Sequence, residues 1–237
     1  MARKFPHVSP YVFVENNPIN LIDPDGRAPR PPDHYFSKSG TYLGSDGVGN
    51  NVRVHNTATN AQELKMSLKE NGLFATRNNS TQVMVLGDQG LGAQVYNESL
   101  SATGENSYSF ILNTDNATAY PSKNTNVTNS TNSSEDLQTT TVFIDGQASH
   151  KTRQGDQPSQ VLIGGIHAHK NNTHGVTMVG DPTMDGKTDQ SAAQNAGIST
   201  YAADKAGVSK VTPTGTKSRV PDQNLVRNAL NDYIKNQ

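Results

Sequence analysis

The chain has 237 residues, with 20 Lys plus Arg against 21 Asp plus Glu and a formal net charge of −1. That balance excludes a broad electrostatic footprint for nucleic acid or an anionic membrane. Cysteine is absent, which excludes disulfides and thiolate ligands, so any metal must be held by His, Asp and Glu.

Apolar residues are 32% and charged residues only 17%. This is not the high-charge signature of a wholly disordered chain. It predicts a modest core carrying long polar loops. No run approaches the length needed to cross a bilayer. Met1–Pro10 is polar, contains Pro and lacks the pattern of a signal peptide, so export is expected to need another route or an upstream part of the protein. Sequons such as Asn126-Val127-Thr128 follow from the Asn/Thr-rich composition.

In chain order, residues 1–32 read as an extended lead. Tyr11–Val14 suits a strand, Asn16-Asn17-Pro18 and Asp23-Pro24-Asp25-Gly26 are turn chemistry, and the Pro-rich stretch Arg27–Asp33 reads as a linker. Tyr35-Phe36, Thr41–Leu43 and Asn51–His55 fit short strands. Asn60 suits the N-cap of a helix over Ala61–Glu70, with Asn71-Gly72 as its stop. Gln82–Leu86 fits a strand. Gly87–Gly92 has no following Lys and is read as a turn, without the strand–loop–helix frame of a phosphate loop.

Glu105 stands just before the strand-like Tyr108–Leu112, with Asn113–Asn116 as a turn and Ala117–Tyr120 as the return. Ser122–Asp136 is an Asn/Thr/Ser tract with almost no apolar side chains, expected to be a mobile surface loop. Thr139–Ile144 resumes as a strand, and Val161–His169 is the best buried strand. Lys170–Thr188 is a Gly/Asn/Asp-rich loop. Thr188 or Asp189 is expected to cap a helix over Gln190–Ala196, ended by Gly197, with Ile198–Ala202 as a strand. Asp222 is expected to cap a last helix over Gln223–Lys235.

The chemistry concentrates at Ile166-His167-Ala168-His169. Residues i and i+2 of a strand point to one face, so both imidazoles can reach one metal ion. A later Asp at a helix start supplies a third ligand, and three protein ligands with one open position form a catalytic zinc site. His174 in the loop is read as solvated, Asp181 and Asp185 as turn residues that compete with Asp189, and His55 and His150 carry no spacing signal.

Pro18-Ile19-Asn20-Leu21-Ile22-Asp23-Pro24-Asp25-Gly26, with Tyr11–Asn17 before it, resembles the boundary motif that ends the core of RHS-repeat proteins. Arg27 stands where the family usually has Leu. The match covers about the first tenth of the chain. It implies that residues 1–32 are a core-boundary remnant and linker, with Asp23 part of the self-cleavage region, and that residues 33–237 are a variable toxin tail. His167-Ala168-His169 and Asp189 resemble the JAB/MPN (JAMM) metallopeptidase pattern, and more narrowly the JAB-like toxins carried by RHS proteins. The Pro after the second His is here Lys170, and the Ser three residues before the Asp is Gly186, which puts oxyanion stabilisation in doubt. Thr188 is a weak substitute.

The resemblance implies an α+β (α/β-like) fold: a curved mixed β-sheet flanked by helices, JAB/MPN-like, with an irregular N-terminal lead. It implies Zn²⁺ on His167, His169 and Asp189, and a catalytic Glu upstream. Glu105 fits that place, Glu98 is the fallback, and Glu63 and Glu70 are read as solvated helix residues. The activity implied is peptide or isopeptide hydrolysis, as a secreted or delivered bacterial effector. Its partners would be a protein substrate in a target cell and a cognate immunity protein, with no nucleic acid and no membrane span. The alternatives are a metal-dependent nuclease toxin using His167, His169 and His174, or an inactive JAB-like binding module.

Overall fold

The computed structural model describes residues 32–47, 49–101, 107–123, 141–144, 147–152, 155–169, 193–194 and 197–237. The chain divides into two compact units between Val83 and Met84.

In the first unit β1 (His34–Phe36), β2 (Tyr42–Ser45), β3 (Val52–His55) and β4 (Ser80–Gln82) form a sheet in the order β2-β1-β3-β4. Helix α1 (Ala61–Glu70) starts as expected. The Asn60 side chain accepts from the Glu63 N–H at 3.0 Å, and the Glu63 carboxylate accepts from the Thr59 N–H at 2.7 Å. The Asn60 side chain thus satisfies a first-turn donor, and Glu63 reaches back to the N–H of the residue before the N-cap, a variant of the reciprocal capping box. Asn71-Gly72 does end α1, but Gly72 at φ +77 redirects the chain straight into a second helix, α2 (Gly72–Asn78). A core of Tyr35, Leu43, Ala58 and Leu64 lies between sheet and helix.

Asp33, expected at the end of a linker, is instead fully buried. Its Oδ1 accepts from the Asn51 N–H at 2.8 Å and its Oδ2 from Arg53 Nε at 2.7 Å, and Arg77 Nη2 lies in ion-pair range of Oδ2 at 3.1 Å. Asp46 Oδ2 accepts from the Tyr35 hydroxyl at 2.7 Å and from Arg77 Nε at 3.2 Å. Two carboxylates against two guanidiniums balance charge and satisfy acceptors, the condition under which such groups tolerate burial. The approach is so close that a Cβ on Gly49 would lie 2.1 Å from Asp33 Oδ1.

The second unit holds β5 (Met84–Val85), helix α3 (Leu91–Leu100), β6 (Ser107–Asn113), β7 (Thr118–Lys123), β8 (Thr141–Ile144), β9 (Gln147–Thr152), β10 (Gly155–Ala168), β11 (Ser199–Asp204), β12 (Gly207–Val211), β13 (Lys217–Val220) and helix α4 (Leu225–Lys235). One sheet runs β13-β12-β11-β10-β6-β7-β5, with β9 also on β10 and β8 on β9. The β10–β11 and β5–β7 pairs are parallel and the others antiparallel. The expected α+β class and curved mixed sheet are therefore present, as a curled seven-strand path. Of the expected strand Val161–His169, Val161–Ala168 lies in the central strand β10 and is buried throughout, and His169 follows its end.

Residues paired across strands share a face, and neighbours along a strand alternate. One face carries Phe110, Ile166 and Tyr201 and receives both helices. A Cβ on Gly164 would lie 2.8 Å from the Ala229 Cβ of α4, and one on Gly92 of α3 would lie 2.2 Å from Val208 Cγ2. Ser199 Oγ donates to Asp232 of α4 at 2.9 Å, and Lys210 pairs with the same carboxylate.

The two helices cap each other. Asp222, expected to cap the last helix, instead accepts from the Gly92 and Ala93 N–H groups of α3 at 2.7 and 2.9 Å. Asp88 accepts from the Val226 N–H of α4 at 2.7 Å. The segments Asp88-Gln89-Gly90-Leu91 and Asp222-Gln223-Asn224-Leu225 share one pattern, with the third residue left-handed in both, φ 64 at Gly90 and φ 57 at Asn224. α4 therefore starts at Leu225. Gly87–Gly92 is a turn, but it does sit in a strand–loop–helix frame, β5 to α3. Its helix N-terminus is occupied by the Asp222 carboxylate.

Candidate metal centre

β10 is held on both sides, by β6 and β11, and its end presents the His pair. His167 stands opposite Ser107 of β6 and beside Ala202 of β11. Its neighbour Ile166 stands opposite Tyr108 and beside Tyr201. His167 therefore points away from α3 and α4, to the face of Ser107, Ser109 and Thr200. All three of these hydroxyl residues are buried.

His167 is fully buried and His169 partly exposed. Their Nε2 atoms are 2.9 Å apart, with ring centroids at 4.8 Å and planes at 57°. Two Nε2 atoms aimed at each other are either joined by one N–H···N bond or poised on a common cation. Tetrahedral zinc with Zn–N of about 2.0–2.1 Å places two ring nitrogens about 3.3 Å apart. The pair needs to open by only about 0.4 Å to match, so the donor set fits a divalent metal taken by imidazole.

Glu105 and Asp189 lie outside the described residues, as do His174, Asp181, Asp185, Gly186 and Thr188, the Tyr11–Val14 strand, the boundary motif Pro18–Gly26, and the Ser122–Asp136 tract after Lys123. Among the described residues no three His, Asp or Glu side chains form a metal cluster. Two neighbours of the missing positions are described. Ser107, two residues after Glu105 in sequence, is the register partner of His167. Ala193, four residues after Asp189 in sequence, is fully buried and packs on Val211. Val211 pairs with Thr200 and Thr200 with Gly165, which shares the His167 face. Gly197 is left-handed at φ 64, as its expected role as a stop requires.

Comparison of the chain with protein-family models, with curated proteins and with solved structures returns no match.

Glu98 sits on α3, and its carboxylate accepts from the Tyr108 hydroxyl at 2.9 Å and from Lys123 Nζ at 2.5 Å. Tyr108 belongs to the face opposite His167. The Lys123 bond, reinforced by those from Gln94 and Tyr108, holds the Glu98 carboxyl below the usual glutamate range. The Tyr108 contact sets Glu98 on the helix side of the sheet, away from the His pair, and a general base needs reach. Glu63 and Glu70 lie in α1 of the first unit. His55 is a structural residue: its Nδ1 accepts from the Ala58 N–H at 2.9 Å, and burial pushes its pKa down. His150 lies on β9.

Sequence reasoning missed an ion pair on the His face. Asp204, at the end of β11, accepts from Arg219 Nη1 at 3.1 Å and Nη2 at 2.9 Å. The signal was present in Val208 and Val211, then Pro213 and Gly215, then Lys217–Val220: two strands around a turn.

Proposed function

We propose that this chain is a zinc-dependent hydrolase of peptide or isopeptide bonds with a JAB-like arrangement, carried as the toxin tail of an RHS-type protein. The observation that carries the reading is the convergence of His167 and His169 Nε2 at 2.9 Å on the face of the sheet opposite α3 and α4. His167 is anchored inside the central strand. His169, partly exposed, opens the site toward a substrate.

Asp189 completes the ligand set in this proposal, supported by the return of the chain to the His face at Ala193. Zinc held there supplies Lewis-acid polarisation and lowers the pKa of water. Glu105 accepts the proton of the attacking water on its carboxylate and returns it to the leaving nitrogen. Its support is its place two residues before Ser107, the partner of His167. Delivery by a secretion system, a protein substrate in a target cell and a cognate immunity protein belong to the same proposal, which rests for them on Pro18–Gly26. Among the described residues no helix is long and apolar enough to cross a membrane.

The test is metal content by elemental analysis, on wild type and on a His167→Ala/His169→Ala double variant purified without added metal. About one zinc per chain, lost in the double variant, is expected for a three-ligand site. A wild type that stays metal-free when zinc is offered at neutral pH contradicts the proposal.

A further inference from the structure

His55 ends β3 and is 1% exposed. Its Nδ1 accepts from the Ala58 N–H at 2.9 Å and from the Thr57 N–H at 3.3 Å. A ring nitrogen that accepts N–H groups carries no proton of its own, so the imidazole is neutral with its proton on Nε2. Nε2 is buried and has no hydrogen-bond partner among the described residues. A buried donor without an acceptor is rare in native proteins and asks for an explanation. The ring is held from one side only, and that side is a turn of the main chain.

That turn joins three parts of the first unit. Ala58 belongs to the core with Tyr35, Leu43 and Leu64. Asn60, two residues on, caps α1, and Glu63 of α1 reaches back to the Thr59 N–H. The Asn56 N–H donates to Asn79 O at 3.0 Å, and Asn79 Nδ2 donates to Thr57 Oγ1 at 3.0 Å, so the end of α2 steadies the turn from outside. Charged and titratable groups surround His55 on several elements. Arg53 lies two residues back on the same face of β3, and Tyr35 of β1 has its ring centroid 6.4 Å away. Arg53 donates to Asp33, while Tyr35 and Arg77 of α2 donate to Asp46. Ser80 of β4, the register partner of His55, is neutral, and Leu64 is the residue that α1 buries. The two carboxylates and two guanidiniums offset each other, and none of them bonds to the imidazole. His34, next to Tyr35 on β1, faces the other side of the sheet.

We propose that His55 is an acid-sensitive latch of the first unit, whose protonation frees the Thr57–Ala58 turn and loosens the start of α1. The proton adds to Nδ1, where two N–H donors already stand. Both bonds are lost at once, the new N–H meets donors in place of an acceptor, and a charge is left buried without a bonded carboxylate. Burial already holds the pKa of His55 below the ordinary value of 6.5. A folded-state pKa below the unfolded one means that the open turn binds more protons. Stability is therefore full above the unfolded value and is lost as the pH falls from there toward the folded pKa. This latch lies outside the candidate metal centre and does not depend on the hydrolase reading.

The test is hydrogen exchange at single amides of the full chain from pH 7 to pH 5, with intrinsic rates corrected for pH. Protection at Thr57 and Ala58 should fall by up to about tenfold per pH unit below 6.5, while protection in β6 of the second unit holds. The variant His55→Asn keeps an acceptor oxygen near the place of Nδ1 and takes no proton, so its fall should shrink to about twofold or less. Nitrogen NMR of the wild-type ring gives a second reading that needs no variant to fold. It should show the proton on Nε2 at pH 7 and a titration midpoint below 6.5. Level protection in wild type, or a ring protonated at Nδ1 at pH 7, overturns the inference. So does a fall that survives in His55→Asn, which would move the switch to His34, whose pKa burial also lowers.

Discussion

On β6, β10 and β11 the side chains that point toward α3 and α4 are Phe110, Ile166 and Tyr201, while those that point away include Ser109, His167 and Thr200. The same strands thus serve two purposes by alternation. The helix-covered face is close-packed to the point that Gly164 and Gly92 have no room for a methyl group. The other face gathers imidazole, hydroxyl, carboxylate and guanidinium groups at one end of the sheet. Packing fixes the strands, and the fixed strands hold His167 and His169 at 2.9 Å without either contributing to the apolar layer.

Five substitutions can break or sharpen this contrast. The largest effect is expected on turnover. Glu105→Gln should lower kcat for peptide hydrolysis by about 10²–10⁴-fold, the usual contribution of a general base. Glu98→Gln, on the helix side, should stay within about twofold of wild type. A dead Glu98→Gln with an active Glu105→Gln would reverse the assignment of the general base. Next is Gly164→Ala, which drives a methyl group into Ala229 and should cost about 1–3 kcal/mol in denaturant unfolding of the second unit. Zinc binding should persist in the folded fraction.

Asp222→Ala removes the acceptor for two N–H groups of α3 and should cost about 0.5–2 kcal/mol. Hydrogen exchange should quicken first at Gly92 and Ala93. Uniform quickening across the sheet would mean that the carboxylate does more than cap. The smallest effect is expected at Asp88. Burial lifts its carboxyl above the usual aspartate range, against the Val226 and Arg227 N–H donors and the Arg227 charge, which pull it down. A folded-state pKa above the unfolded value means that the ionised form costs stability. That cost is full above the folded pKa and is relieved as the pH falls through it toward the unfolded value near 3.8. The melting temperature of Asp88→Asn relative to wild type should therefore fall from pH 7 to pH 4. A relative melting temperature that rises with acid contradicts this sign.

What the sequence made legible were the elements whose signals are local. The capped helix after Asn60, the buried strand ending at His169, and the Tyr108–Leu112 strand with its return all follow from periodicity and turn residues. α3 and the true start of α4 were not legible, because their caps come from partners far along the chain: Asp222 for one and Asp88 for the other. A propensity reading assigns each Asp to the helix that follows it. Asp33 looked like the end of a Pro-rich linker, since its Arg53 and Arg77 partners are visible only once the sheet is formed. The His pair was legible because a two-residue spacing on a strand is itself a geometric statement. Asp204 and Arg219 were not, because their meeting depends on the register across β12.

The most direct measurement of the central claim is X-ray absorption at the zinc edge, on the zinc-loaded chain and on a His169→Ala variant. Two imidazole nitrogens at about 2.0–2.1 Å in wild type, falling to one in the variant, is the expected result. A first shell of oxygen alone, or an imidazole count that does not change on losing His169, would place the metal elsewhere and leave the His pair as a hydrogen bond.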